Sequence, residues 1–452
     1  MRLLYSLLLT LLALLLLPYF LWQGLAKGKY LCNLLARLGF GRVKVGGEAE
    51  GPVIWLHAVS VGETLAARPL CRALKLRYPG ARLFLTTTTA TGQAVAKAQV
   101  PEADIVGYYP FDWTFAVRRM LDLIEPELVI LMESELWLNF LSECRERRIP
   151  VVVANGRISD RSFPRSMRVR FFVGRLYRLV TRFIMQSEID AARAIALGAT
   201  AEQVEVGGNL KYDVEPATPG ATPGVTTSAG SRGGEVGGLA VKLGLATQPL
   251  IIAGSTHPGE EEIVLAAFQE LRRGGQAVRL LIAPRHPERF DEVAELIRAT
   301  GLGLTRRSMV DGAASGDEDA GTSGVILLDS IGELASLYQM ATVVLVGGSL
   351  MPIGGHNILE PALAGRPVVV GPHMHNFREM TAEFQAAAAL IQIRGGSGEV
   401  MAERLRAALA SILGDPELAR EMGERARRTV EANRGATTRT CDSIARLLDQ
   451  TA

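Results

Sequence analysis

Cysteine is scarce in this chain. Its four residues, Cys32, Cys71, Cys144 and Cys441, are widely scattered, with no CxxC pair and no metal-ligand spacing. That excludes a disulfide framework and a structural zinc site, and it fits free thiols in a reducing compartment. An excess of one charge is also lacking. Lys and Arg number 49 against 47 Asp and Glu, a net charge of +2. A general polyanion binder is excluded, no nucleic-acid partner is expected, and any basic surface must be local. Two phosphate-binding signatures are absent as well. No GxGxxG follows the first apolar strand and no GxxxxGK[ST] occurs, which speaks against a dinucleotide domain and a P-loop. The one DxD-like triplet, Asp317-Glu318-Asp319, falls inside a polar stretch at 308–324 that reads as a loose surface loop. No cofactor and no metal are expected.

Long apolar runs are limited to one. From Leu3 to Ala26 there are 24 uncharged residues dominated by leucine. Roughly 20 apolar residues suffice for a helix to span the hydrocarbon core. Tyr19 and Trp22 fall where interfacial aromatics sit. A cleaved signal peptide would have a shorter apolar core and a small-x-small site, whereas Trp22 to Ala26 is a poor one. Lys27, Lys29, Arg37, Arg42 and Lys44 follow the run and Arg2 alone precedes it. The positive-inside rule then puts the body in the cytoplasm, held at the membrane by an uncleaved, single-pass transmembrane anchor, residues 1–26.

The rest of the chain alternates short apolar runs with helical stretches. PVIWLH (52–57), RLFLTT (82–87), LVILM (128–132), PVVVAN (150–155) and FIMQS (183–187) read as strands. Residues 214–238, almost wholly Pro, Gly, Ser, Thr and other small residues, read as a flexible linker. The alternation then restarts with PLIIAGST (249–256), VRLLIAPRH (278–286), GVILLDS (324–330), TVVLVGGS (342–349) and RPVVVGP (366–372). Continuously apolar strands between helices imply parallel sheets covered on both faces. The expected architecture is α/β, two Rossmann-like doubly wound domains facing a crevice, residues 27–213 and 239–452.

The chemistry concentrates at strand ends. HAVSVGE (57–63) places Glu63 in the first turn of a helix, where it could also serve only the helix dipole. LMESELWLN (131–139) puts Glu133 and Glu135 behind an apolar strand, more carboxylate than capping requires. GGNLKYD (207–213) carries Lys211 just before the linker. In the second half, APRH (283–286) ends a strand with Arg285 and His286, and DSIGEL (329–334) joins a strand to a helix. The Gly-rich GGSLMPIGGHNILEPALAGRPVVVGP (347–372) allows close backbone approach to a phosphate. Within it Asn357 can cap a short helix and Glu360 can accept from a ribose. Together these features suggest a nucleotide-sugar site.

In that order HAVSVGE, TTTTATG (86–92), MESELW, NGRISDRSF (155–163), GNLKYD, APRHPERF, the IGE of 331–333 and GGHNILEPALAGRPVVVGP closely resemble the 3-deoxy-D-manno-octulosonic acid (Kdo) transferases, glycosyltransferase family 30, over nearly the whole chain. The resemblance implies a GT-B fold and transfer of Kdo from CMP-Kdo to a lipid A precursor. It implies Glu63 as general base, with Glu133 and Lys211 stabilising the transition state. It implies a CMP grip made of Pro284, Arg285, Ile331, Gly332, Glu333, Asn357, Ile358, Leu359 and Glu360. The chain departs from the family in the 214–238 linker, the 308–324 loop, and Ser134 and Leu138 where many relatives have Thr and Pro. A different GT-B enzyme using a UDP-sugar, or an inactive tethered scaffold, are the alternatives that the motifs leave. One more expectation concerns residues 157–182, where eight arginines and four interleaved aromatics face a single acid, Asp160. That composition suits an anionic membrane surface or acceptor phosphates.

Overall fold

The computed structural model describes residues 2–27, 34–40, 51–213, 243, 248–310 and 324–451. The expected linker at 214–238, the triplet Asp317-Glu318-Asp319, and Lys29, Arg42 and Lys44 lie outside those residues. The chain forms two compact units, Met1–Asp213 with Asn433–Ala452, and Val214–Ala432.

Unit 1 is built on a seven-stranded sheet. Its strands are β1 (Val53–His57), β2 (Arg82–Thr87), β3 (Ile105–Tyr108), β4 (Leu128–Met132), β5 (Val151–Gly156), β6 (Arg182–Met185) and β7 (Val204–Val206). They lie in the order β3-β2-β1-β4-β5-β6-β7, and every pairing is parallel. β1 and β4 are buried at every position, as a sheet with two covered faces demands. On one face Trp55, Val129 and Val153 meet helices Thr114–Ile124 and Leu138–Glu146 through Leu121, Phe140 and Leu141. On the other, Ile54, Leu56 and Ile130 meet Leu70 and Leu74 of helix Val61–Arg77.

Unit 2 repeats the plan with β8 (Leu250–Thr256), β9 (Arg279–Pro284), β10 (Leu304–Arg306), β11 (Val325–Leu327), β12 (Val343–Val346), β13 (Val368–Val370) and β14 (Leu390–Gln392), in the order β10-β11-β9-β8-β12-β13-β14, again all parallel. In a doubly wound sheet the ligand crevice opens at the strand carboxyl ends where the order reverses. Those points are β1/β4 in unit 1 and β8/β12 in unit 2.

Two boundaries differ from the sequence reading. Residues 239–452 do not form one body. Helix Ala436–Thr451 packs on unit 1, because its apolar face, Ala436, Cys441, Ile444 and Leu448, completes the cover over Leu70 and Leu74. The helix expected after DSIGEL is only a turn, Leu334–Leu337, followed by a 3-10 turn at Tyr338–Met340. At the other end of the chain, helix Arg2–Lys27 runs through the leucine-rich segment, with side chains described as far as Leu16. Among the described residues no helix is long and apolar enough to cross a membrane.

Candidate active site

Glu63 owes its position to the turn after β1. Ser60 is the N-cap of helix Val61–Arg77 in extended backbone, and its Oγ accepts from the Glu63 N–H at 3.3 Å. The Glu63 carboxylate reaches back, accepting from the Val59 N–H at 2.8 Å and the Ser60 hydroxyl at 2.9 Å. The sequence reading allowed Glu63 a helix-dipole role alone; the capping box found here leaves lone pairs spare on both oxygens. Burial pushes the Glu63 carboxyl above its usual range, the Val59 N–H opposes that, and the nearby Glu133 and Glu135 charges push it further up. Two causes therefore make it a stronger base than a surface glutamate.

Glu133 stands at the carboxyl end of β4, across the order reversal from β1. Its N–H still extends the ladder, donating to the Ala154 carbonyl at 3.0 Å. Its own backbone is left-handed, φ 60°. A non-glycine residue there costs about 1–2 kcal/mol and turns the side chain out of the sheet plane. Lys211 donates to Glu133 Oε1 at 3.3 Å, and both side chains keep part of their surface open. The turn carrying Lys211 is fixed from below: Asn155 Oδ1 accepts from the Leu210 N–H and Asn209 Oδ1 from the Lys211 N–H, each at 3.0 Å. Glu133, Arg157, Tyr177 and Met185 line a small recess beside the pair.

His57, the other titratable group near this turn, is occupied elsewhere. It is buried, stacked on Tyr109 with ring centroids 3.8 Å apart, and its Nδ1 lies 3.0 Å from the Thr86 carbonyl oxygen. Burial drives its pKa down to about 3, so the ring is neutral and structural.

In unit 2 the Gly-rich loop after β12 is held by a residue the sequence reading passed over. Glu260 opens helix Glu260–Arg273 directly behind β8 and is fully buried. Its carboxylate accepts from the N–H groups of Gly348 (2.7 Å), Leu350 (2.8 Å) and His257 (2.9 Å). Gly347 must be glycine, since a Cβ there would stand 2.3 Å from the Ser255 carbonyl oxygen. Against this loop His257 and His356 stack, Nε2 to Nε2 2.8 Å, with His286 edge-on to His257. One ring donates and the other accepts. Burial, then the neighbouring imidazole, lowers His356 to about 4. The clue in the sequence was a repeat: Gly259-Glu260 follows β8 as Gly62-Glu63 follows β1. The histidine pair, 99 residues apart, leaves no local signal.

The expected nucleotide residues occupy strand-end turns of the same unit. Pro284 ends β9, Arg285 is exposed, and its N–H donates to the Thr256 carbonyl at 3.0 Å. Glu360 feels the Arg285 charge. Asn357 Oδ1 accepts at 3.0 Å from the N–H of Leu359, the first residue of helix Leu359–Leu363, whose N-cap is Ile358, and its amide reaches Glu360 at 3.4 Å. Ile358 and Leu359 are buried, so only their backbone can serve a ligand. Ile331 and Gly332 form an open turn, Ile331 79 % exposed. Glu333 is bound by Ser330 and by Arg307 at 2.9 Å. Among the described residues no group of three His, Cys, Asp or Glu side chains converges as a metal site.

The basic segment of unit 1 folds as helices Ser162–Arg168 and Arg170–Tyr177. Phe171 and Phe172 are 65 % and 54 % exposed, with Arg175 over the Phe171 ring at 4.3 Å. Tyr177 faces the core, whereas the phenylalanines and Arg165, Arg168, Arg170, Arg175 and Arg178 face outward.

A family model described as 3-Deoxy-D-manno-octulosonic-acid transferase (kdotransferase) matches residues 33–214. The 3-deoxy-D-manno-octulosonic acid transferase of Haemophilus influenzae is 32% identical over 93% of this chain and 93% of its own. The enzyme of that name from Bordetella pertussis is 34% identical over 94% of each. A solved UDP-GlcNAc 2-epimerase from Neisseria meningitidis bound to UDP-GlcNAc is 12% identical with a TM-score of 0.53, covering 87% of this chain and 99% of its own, a likeness of fold, that of the GT-B enzymes. The chain belongs to the Kdo transferase family and is a glycosyltransferase of it.

Proposed function

We propose that the protein moves Kdo from CMP-Kdo to a lipid A precursor, as a step of lipopolysaccharide core synthesis. The acceptor hydroxyl loses its proton to Glu63 while its oxygen bonds to the anomeric carbon. The bond from that carbon to the phosphate oxygen breaks, and CMP leaves with the electron pair. A single displacement inverts the anomeric centre. Glu133 favours the positive charge that develops on the sugar, and Lys211 compensates negative charge around it. The donor half of the reaction falls to unit 2, where Arg285 neutralises the phosphate and Pro284, Ile331, Gly332, Glu333, Asn357, Ile358, Leu359 and Glu360 hold the CMP. The chemistry needs no metal and no cofactor.

The observation that carries this reading is the carboxylate arrangement at the β1/β4 reversal: a raised Glu63 pressed by Glu133, itself strained and salt-bridged to Lys211. Incubation with CMP-Kdo and tetraacylated lipid A precursor, followed by mass spectrometry, tests it. A product heavier by one or more Kdo residues is expected; no transfer refutes it. Protection against heating by CMP but not UDP separates this donor from a UDP-sugar.

The protein works at the inner membrane with its body on the cytoplasmic side. The apolar helix Arg2–Lys27 supplies the attachment. Its leucine-rich run and the basic residues after it support attachment to the membrane. The exposed arginines and phenylalanines of 162–178 support contact with an anionic lipid surface or with the acceptor phosphates.

A further inference from the structure

The first ten residues of helix Arg2–Lys27 are not free of the body. The Arg2 guanidinium is ion-paired with Glu143 and Glu146 of helix Leu138–Glu146. The Glu143 carboxylate is almost fully buried, and Arg118 holds its other oxygen at 2.9 Å. Ser6 Oγ accepts from the Asn139 amide at 3.0 Å, and Thr10 Oγ1 accepts from the Trp113 indole N–H at 3.1 Å. Arg2, Tyr5, Ser6, Leu9 and Ala13 are half-buried, a spacing of three and four that marks one side of a helix. Leu3, Leu4, Leu7, Leu8, Leu11, Leu12 and Leu15 cover the rest, each more than half exposed.

These contacts are incompatible with a crossing. If the body followed a transmembrane helix, Arg2 would lie on the far side of a hydrocarbon core about 30 Å thick. It could not reach Glu143. We propose that helix Arg2–Lys27 lies along the membrane surface with its polar side docked on unit 1 and its leucines in the acyl boundary, so that Arg2 stays on the same side as the body. The proposal rests on the membrane attachment stated above and replaces a spanning helix by one in the plane. The occupant of the leucine face is a lipid bilayer of anionic character. Helix Leu138–Glu146 carries the docked helix, and its Arg145 donates to the Arg178 carbonyl at 3.1 Å, at the end of the exposed arginine and phenylalanine segment. Apolar and basic surfaces thereby join on one side of unit 1, the composition of an interfacial anchor.

The test uses the full chain with vesicles containing phosphatidylglycerol. Flotation comes first: no floated protein overturns both the attachment and this arrangement. In inner-membrane vesicles, the double variant Arg2→Cys with Glu146→Cys should be joined within one chain by a short bismaleimide, which spans two residues whose long side chains meet at their tips. A crossing helix would keep the two thiols on opposite sides, and floated protein without the cross-link overturns the in-plane helix alone. As a second reading, an impermeant maleimide should label Leu3→Cys from the same side as Arg446→Cys on the body. Labelling from opposite sides would establish a crossing. Leu7→Glu with Leu11→Glu should abolish flotation while leaving the Arg2 contacts in place.

Discussion

Lys211 Nζ lies 3.3 Å from Glu133 Oε1, joining residues 78 positions apart at the strand end of unit 1. Each is set by a local feature, Glu133 by a left-handed backbone and Lys211 by two asparagine side chains beneath it. A pair this open to solvent contributes roughly 0–1 kcal/mol to stability, so the strain at Glu133 exceeds what the ion pair returns. Stability alone does not account for it. Glu133→Asn should therefore fold as well as the parent, because asparagine tolerates positive φ, yet turn over at least about 100-fold more slowly. Lys211→Met should behave alike. Normal turnover by Glu133→Asn with unchanged melting would show the carboxylate to be idle.

Glu63→Gln keeps the contact to Val59 and the size of the side chain. Turnover should fall by about 100-fold or more, while protection by CMP is unchanged. The pH profile supplies a second reading. A base works ionised, so rate is lost as pH falls through its pKa. Burial and the flanking carboxylates raise that value above the ordinary 4.5. The acid limb of turnover should accordingly lie above 4.5 and vanish in Glu63→Gln. A variant that retained both rate and acid limb would move the base to Glu133 or Glu135.

Ten of the fourteen strands were legible in the sequence as continuous apolar runs, and the four that were not, β3, β7, β10 and β14, are the four sheet edges. The reason is physical. A central strand such as VIWLH is buried at all five positions, whereas IVGY at the edge is half-exposed throughout and VEV carries a glutamate. An edge strand owes its conformation to its neighbour, which sequence periodicity does not report. The site divides in the same way. Glu63 and Glu133 stand out as charges behind apolar strands, and Lys211 as the basic residue just before the linker. Glu260 hides as one more acid among Glu260, Glu261 and Glu262, and only the loop it binds reveals its task.

The His257–His356 contact predicts a donor effect. Two stacked imidazoles sharing one proton are neutral near pH 7: burial, then His286 and Arg285, lower His257, and burial, then His257, lower His356. With Glu260 they brace the glycine loop against β8. His356→Gln should preserve folding, weaken the stabilisation that CMP gives in a melting experiment, and raise the donor KM more than it lowers kcat. An effect on kcat alone, with CMP protection intact, would remove the pair from the donor side.

Asp213 closes unit 1 at the point where the chain leaves it. Its carboxylate accepts from the Gly435 N–H at 2.6 Å and from the Thr437 N–H at the start of helix Ala436–Thr451. The residue that ends the Lys211 turn thus caps a helix more than 200 positions later. Losing such a cap costs about 1 kcal/mol, a drop in melting temperature of about 2–4 °C for a unit of this size. Asp213→Ala should show that drop, and Asp213→Asn should recover most of it, because an amide oxygen can still accept. The same cap keeps the Lys211 turn in register with the returning helix, so Asp213→Ala should also lower turnover while leaving CMP protection untouched. Shortening the 214–238 segment, which lies beyond the cap, should change neither. If Asp213→Ala melted like the parent, the returning helix would have to be held by its apolar face alone, through Cys441, Ile444 and Leu448.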